Sequence, residues 1–154
     1  MLEVIFIVIG ALYLLYVLLS HFESEWEKNV PYTVLVKEII LYTGFALREH
    51  NIKHFPDFKI CYYKNKKYAG VYDGKIIVYL GSNPTINDIV NTTLHEVQHH
   101  IQHKTDPQYK YYSDYTKTCG YWLNPFEKEA RSFASKYEDS CIEYLVSKKI
   151  IQKN

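Results

Sequence analysis

The chain has 154 residues, a formal net charge of +1, 47% hydrophobic residues and 23% charged residues. That length holds one domain with a short appendage, not two full domains, and the near-zero charge leaves no excess of Lys and Arg to track phosphates, which argues against a nucleic-acid partner. Three cysteines, Cys61, Cys119 and Cys141, are widely spaced and form no CxxC pair, which excludes a disulfide framework and a zinc ribbon and fits a reducing compartment.

The first twenty residues, MLEVIFIVIGALYLLYVLLS, fall outside the hydrophobic set only at Glu3, Gly10 and Ser20. As a helix, residues 4–19 would span about 24 Å, slightly less than the ~30 Å hydrocarbon core. Phe22 and Trp26 extend that length with side chains suited to a headgroup region. The preferred reading is a single transmembrane helix over residues 1–22, followed by a juxtamembrane connector over 23–30 and the main domain over 31–154. A cleaved signal peptide fits less well, because no Lys or Arg precedes the apolar run and no A-x-A-like site follows it. A helix buried in an assembly is the third reading. Lys28 and Lys37 follow the segment while no basic residue precedes it, so the positive-inside rule places the main domain on the cytoplasmic side of a single-pass membrane protein.

Pro31 opens a helical pattern, PYTVLVKEIILYTGFALREHN, in which Leu35, Ile39, Tyr42 and Ala46 recur at helical spacing. From Phe58 to Leu80 the period changes. FKICYY and KIIVYL are β-rich runs, with KKYAGVY and a turn at residues 72–75 between them. Two or three antiparallel strands are expected, ending at the Gly81-Ser-Asn-Pro84 stretch.

Helix signals resume at Thr85, a capping residue with Asp88 three positions on. The helix INDIVNTTLHEVQHHIQHK contains His95-Glu96-Val97-Gln98-His99, an HExxH motif. Residues four apart on a helix differ by about 40° in direction, so the two imidazoles lie one turn apart on one face and can share one ion. Glu96 stands about 100° further round, placed to take a proton from activated water. With His95 at 0°, Ile86, Ile89, Val90, Leu94, Val97 and Ile101 fall between about 120° and 260°. The histidines therefore leave the helix opposite its apolar face; a solvated His-rich surface is the alternative. His103 lies about 12 Å along the axis from His95, too far to share one ion with both histidines, and reads as solvated or as a substrate-side hydrogen-bonding group. The metzincin pattern fails, because Gln102 and Thr105 stand where it needs Gly and His.

Residues 106–124 read as a Tyr-rich loop. The last helix then starts at Asn124, a capping residue, and Pro125. Its apolar face is Phe126, Ala130, Phe133, Ala134, Tyr137, Cys141 and Leu145. Glu127 lies at the edge of that face, and a carboxylate there needs a partner, such as a metal. Glu129 is a second candidate ligand, and closure of the helix end by Glu127 is a third possibility.

HEVQH followed by NPFEKEARSFA resembles the compact gluzincin metallopeptidases, the minigluzincins among them. In those proteins a second helix carries a Glu ligand in an E-x-x-A context, here Glu127 and Ala130; Arg131 stands where some members have Asp. The resemblance implies an α+β, zincin-like fold: a small antiparallel sheet packed on the HExxH helix, a ligand-bearing helix after it, and an edge strand that aligns a peptide. The strand at residues 75–80 is the natural edge. The expected activity is hydrolysis of peptide bonds, with Zn²⁺ held by His95, His99 and Glu127, Glu96 as general base, and a peptide or protein as substrate. Several tyrosines (Tyr109, Tyr111, Tyr112, Tyr115, Tyr121) and His103 are candidates for stabilising an oxyanion. The rival is a non-catalytic, zinc-stabilised, membrane-anchored scaffold or assembly component.

Overall fold

The computed structural model of the protein describes residues 32–152. Helix α1 (Tyr32–Tyr42) turns Leu35, Val36, Ile39 and Ile40 inward. The single helix expected from Pro31 onward is interrupted at Thr43. The Thr43 hydroxyl donates to the Ile40 carbonyl at 2.7 Å, a local bond that competes with the helical ladder. The chain resumes as α2 (Gly44–Glu49).

Strands β1 (Phe58–Cys61), β2 (Gly70–Tyr72) and β3 (Ile76–Tyr79) form one sheet in the order β1-β3-β2. The expected antiparallel sheet is mixed instead. β1 runs parallel to β3, with Phe58 opposite Ile76, and only β2 is antiparallel to it, with Gly70 opposite Val78. The cause lies in residues 62–69, which cross the end of β3 before β2 begins. Ser82 ties the crossing down: its Oγ accepts from the Asn65 N–H at 3.0 Å and donates to the Asn65 carbonyl at 3.1 Å. Asn83 Nδ2 donates to the Ala69 and Tyr79 carbonyls at 2.9 and 2.8 Å. Gly81 allows the close approach, since a Cβ there would stand 2.5 Å from the Lys64 amide nitrogen. The run at residues 75–80, expected at the edge, is therefore the central strand, and β1 and β2 are the edges.

Helix α3 (Ile86–Thr105) carries the HExxH motif and begins with a full capping box. Asp88 N–H donates to Thr85 Oγ1 at 3.1 Å and Thr85 N–H donates to Asp88 Oδ2 at 3.0 Å. Ile89, Val90, Leu94, Val97 and Ile101 are fully buried and pack α3 against α1, the sheet and α5.

The expected Tyr-rich loop is mostly helical. A 3₁₀ turn (Pro107–Tyr111), capped by Asp106 through the Gln108 N–H at 2.7 Å, leads into α4 (Tyr112–Cys119). Gly120, at φ +79°, ends α4, and a second 3₁₀ turn (Tyr121–Leu123) follows. Exposed tyrosines blur the apolar period by which such short helices would be read. Helix α5 (Pro125–Ser147) buries Phe126, Glu127, Ala130, Ala134, Cys141 and Leu145.

Among the described residues, no helix is long and apolar enough to cross a membrane. The span expected at residues 1–22 and the connector at 23–30 lie outside the described residues. The expectation of a single-pass membrane protein with its main domain on the cytoplasmic side is corrected to this extent: no described helix supports it. The hydropathy of residues 4–19 reports composition, and an apolar run of that length is shared by membrane spans and buried helices.

Candidate metal centre

Two helices build the site. α3 supplies His95 and His99 from successive turns, and the first turn of α5 supplies Glu127. His95 Nε2 and His99 Nε2 are 3.1 Å apart. The Glu127 carboxylate faces both, with Oε2 at 3.2 Å from His95 Nε2 and Oε1 at 3.3 Å from His99 Nε2. These three groups can hold a metal ion.

The fit can be judged from the donors themselves. Around a tetrahedral ion with bonds of about 2.0–2.1 Å, ligand atoms lie roughly 3.3 Å from one another. The edges of 3.1, 3.2 and 3.3 Å come close to that value. Glu127 is 1% exposed, yet its Oε2 has no hydrogen-bond partner. A buried carboxylate oxygen is costly without compensation; Arg131 Nη1 stands 3.8 Å from it without a hydrogen bond, so the guanidinium compensates it in part and a bound cation would complete the task.

Neighbouring groups hold Glu127 in place. Asn124 caps α5, accepting from the Phe126 N–H at 3.0 Å, and its Nδ2 donates to Thr116 Oγ1 at 2.8 Å and the Tyr112 carbonyl at 3.2 Å. The Asn124 N–H itself donates to the Gly120 and Tyr121 carbonyls, so Glu127 is not the partner that closes this helix end. The Tyr112 hydroxyl donates to Glu127 Oε1. Arg131 Nη1 stands 3.8 Å from Glu127 Oε2, while Nη2 donates to the Trp122 carbonyl at 2.7 Å. Burial alone would raise the Glu127 carboxyl. The two imidazoles and the Tyr112 hydroxyl outweigh it and hold the group well below the usual carboxylate range.

Glu96 lies beside the triad and is buried. Burial pushes its carboxyl up to about 7, against the opposing pull of His99 and of the Tyr72 backbone N–H. Its Oε2 has no hydrogen-bond partner. Burial lowers the His95 imidazole; in His99 burial acts the same way, but the Glu127 and Glu96 carboxylates prevail and raise it.

Strand β2 closes the site from above. Glycine is needed at position 70, because a Cβ would stand 2.5 Å from Thr92 Cγ2 and 2.9 Å from Glu96 Oε1. The site opens into two cavities of about 420 and 320 Å³. Tyr68, Gly70, His95, Glu96, Tyr112 and Tyr121 line both of them.

Of the six side chains that could serve an oxyanion, Tyr112 is committed to Glu127. Tyr111, Tyr115 and His103 line neither cavity, whereas Tyr109 and Tyr121 do. The hydroxyls of both are raised by burial first, and that of Tyr121 next by its hydrogen bond to Glu127, so both stay protonated at neutral pH and Tyr109 is the one left uncommitted. His100 is buried, with Nδ1 paired to the Tyr72 hydroxyl at 3.1 Å, and burial pushes it down to about 4. It stays neutral behind β2.

Glu129, the alternative ligand, points elsewhere and accepts from Gln102 Nε2 at 2.9 Å. Sequence reasoning missed Gln102 and Gly70. The first was legible in principle, since Gln102 stands three residues after His99 and i, i+3 side chains are neighbours. The second depends on how β2 crosses α3, which no local pattern reports. Comparison of the chain with protein-family models, curated proteins and solved structures returned no match.

Proposed function

We propose that the protein is a zinc-dependent metallopeptidase in which His95, His99 and Glu127 hold the ion and Glu96 is the general base. The observation that carries this reading is Glu96: a buried carboxyl tuned to about 7, with an unpartnered oxygen, on the wall of a cleft beside the triad. A centre that only joins two helices has no use for such a group. Two imidazoles and one carboxylate are also the donor set of a catalytic zinc site, whereas structural sites are closed by four protein ligands.

When bound, zinc supplies a Lewis acid that acidifies water and polarises a carbonyl. Glu96 takes a proton from the attacking water and delivers it to the departing amine. The Tyr72 N–H steadies Glu96, while Tyr112 and Arg131 steady Glu127. Tyr109 faces the cleft as a neutral donor toward developing negative charge, while the Tyr121 hydroxyl, like that of Tyr112, is drawn to Glu127. Tyr79 N–H donates to the Ala69 carbonyl and Asp73 N–H to the Lys75 carbonyl, so the alternation of an antiparallel pair turns the backbone of Gly70 and Tyr72 to the outer edge. With the Tyr72 N–H engaged by Glu96, the Gly70 backbone and the Tyr72 carbonyl are what that edge offers an extended peptide for main-chain hydrogen bonds. The motif resemblance to compact gluzincins points the same way.

Glu96→Gln is expected to leave one zinc per chain and to lower turnover of a peptide library by about 10²–10⁴-fold. Turnover that persists at the wild-type rate in this variant removes Glu96 as the base. A zinc-loaded wild type that cleaves nothing in the library overturns the peptidase reading in favour of a zinc-stabilised scaffold.

A further inference from the structure

Behind the metal centre a second layer of polar groups links α3 to α5. His99 Nδ1 lies 2.9 Å from Gln102 Oε1. Gln102 Nε2 donates to the Phe126 carbonyl at 3.0 Å and to Glu129 Oε2 at 2.9 Å. Gln102 and His99 are both buried, while Glu129 is exposed at the outer end of the chain of bonds.

The chemistry of these groups leaves one assignment. A main-chain carbonyl and a carboxylate only accept, so the end of the Gln102 amide that faces them must be the NH₂. The other end is then the carbonyl oxygen, which also only accepts. The nitrogen of His99 that faces it must carry the hydrogen. A neutral imidazole has one N–H, so His99 Nε2, which points at His95 and Glu127, keeps its lone pair. Without that orientation a hydrogen on Nε2 would stand where a cation is to be held.

We infer that Gln102 is a positioning residue of the metal centre: anchored by Glu129 and the Phe126 carbonyl, it fixes His99 as the Nδ1–H tautomer and presents Nε2 to the ion. The proposal rests on reading the triad as a metal centre, and it makes the contact between α3 and α5 part of the site's chemistry. Glu129 acts one bond further out, by fixing which way the Gln102 amide faces.

Two measurements test this. The first uses the metal-free wild type at about pH 9.5, well above the ordinary imidazole range, where ¹⁵N-resolved imidazole spectra distinguish the tautomers. His99 is expected as the Nδ1–H form, and an Nε2–H form overturns the proposal whatever the protein does with zinc. The second is zinc affinity by competition with a chromophoric chelator. Gln102→Leu is expected to weaken binding by about 10–100-fold, the usual loss for an outer-shell partner. Glu129→Gln, whose amide oxygen can still accept from Gln102, is expected to stay within a few-fold of wild type. Gln102→Leu that folds and binds zinc as tightly as wild type overturns the proposal. If that variant does not fold, the wild-type tautomer still decides. A wild type that takes up no zinc refutes the metal-centre reading itself, a failure distinct from a wrong tautomer.

Discussion

Glu127 is the residue on which the centre turns, because it alone brings negative charge from α5 to two imidazoles on α3. Its oxygens face His95 and His99 at 3.2 and 3.3 Å, and Tyr112 and Arg131 hold it from behind. Glu127→Gln keeps the volume and removes the charge. Zinc affinity is expected to fall by more than the roughly 10–100-fold that an outer-shell partner costs, with metal content per chain dropping from one toward zero by elemental analysis. Full occupancy in this variant takes Glu127 out of the ligand set. The residue was legible in the sequence only as a carboxylate at the edge of an apolar face, together with Glu129 and a capping role as alternatives. The histidine pair was plainer, because a four-residue spacing fixes its own geometry on a helix. Tyr112 was not legible as the partner of Glu127, since fifteen residues and a helix start separate the two.

Among the strands, β2 is the shortest and the one that lies against the general base. It is three residues long, and Gly70 lets it lie against Thr92 and Glu96. Gly70→Ala drives a methyl group into both side chains. Overpacking of this kind costs about 1–3 kcal/mol, and here the Glu96 carboxylate must move as well. Zinc content is expected to stay at one per chain while turnover falls about tenfold or more, because a misplaced base costs rate steeply. Zinc loss in step with turnover would mean that β2 supports the ligands rather than the base. The strands themselves were legible from their β-branched and aromatic runs. Their order was not, because the crossing of residues 62–69 is held by Ser82 and Asn83, polar side chains whose partners lie outside any local period. A turn between β2 and β3 fixes an antiparallel pair, but nothing local fixes β1 as parallel to β3.

On the scale of the whole described unit, the centre links the two longest helices. α3 and α5 pack on each other, with Ile101 on one and Ala130 and Ala134 on the other buried, and Glu127 of α5 stands against two histidines of α3. Metal held there is bound to the folded state and not to the unfolded chain, so it stabilises the fold by mass action. With free zinc at about a thousand times its dissociation constant the gain is about 4 kcal/mol. For a domain of this size each kcal/mol shifts the melting temperature by about 2–4 °C. Stripping with a chelator is therefore expected to lower the melting temperature by about 8–16 °C, and a small excess of zinc should restore it. Glu96→Gln should show the same shift, because Glu96 is not among the donors facing the ion, whereas Glu127→Gln should lose most of it. Equal melting temperatures with and without chelator would mean that the triad does not hold metal in solution. In that case His95, His99 and Glu127 would be a buried hydrogen-bonded cluster, one whose protons do the work assigned to the cation.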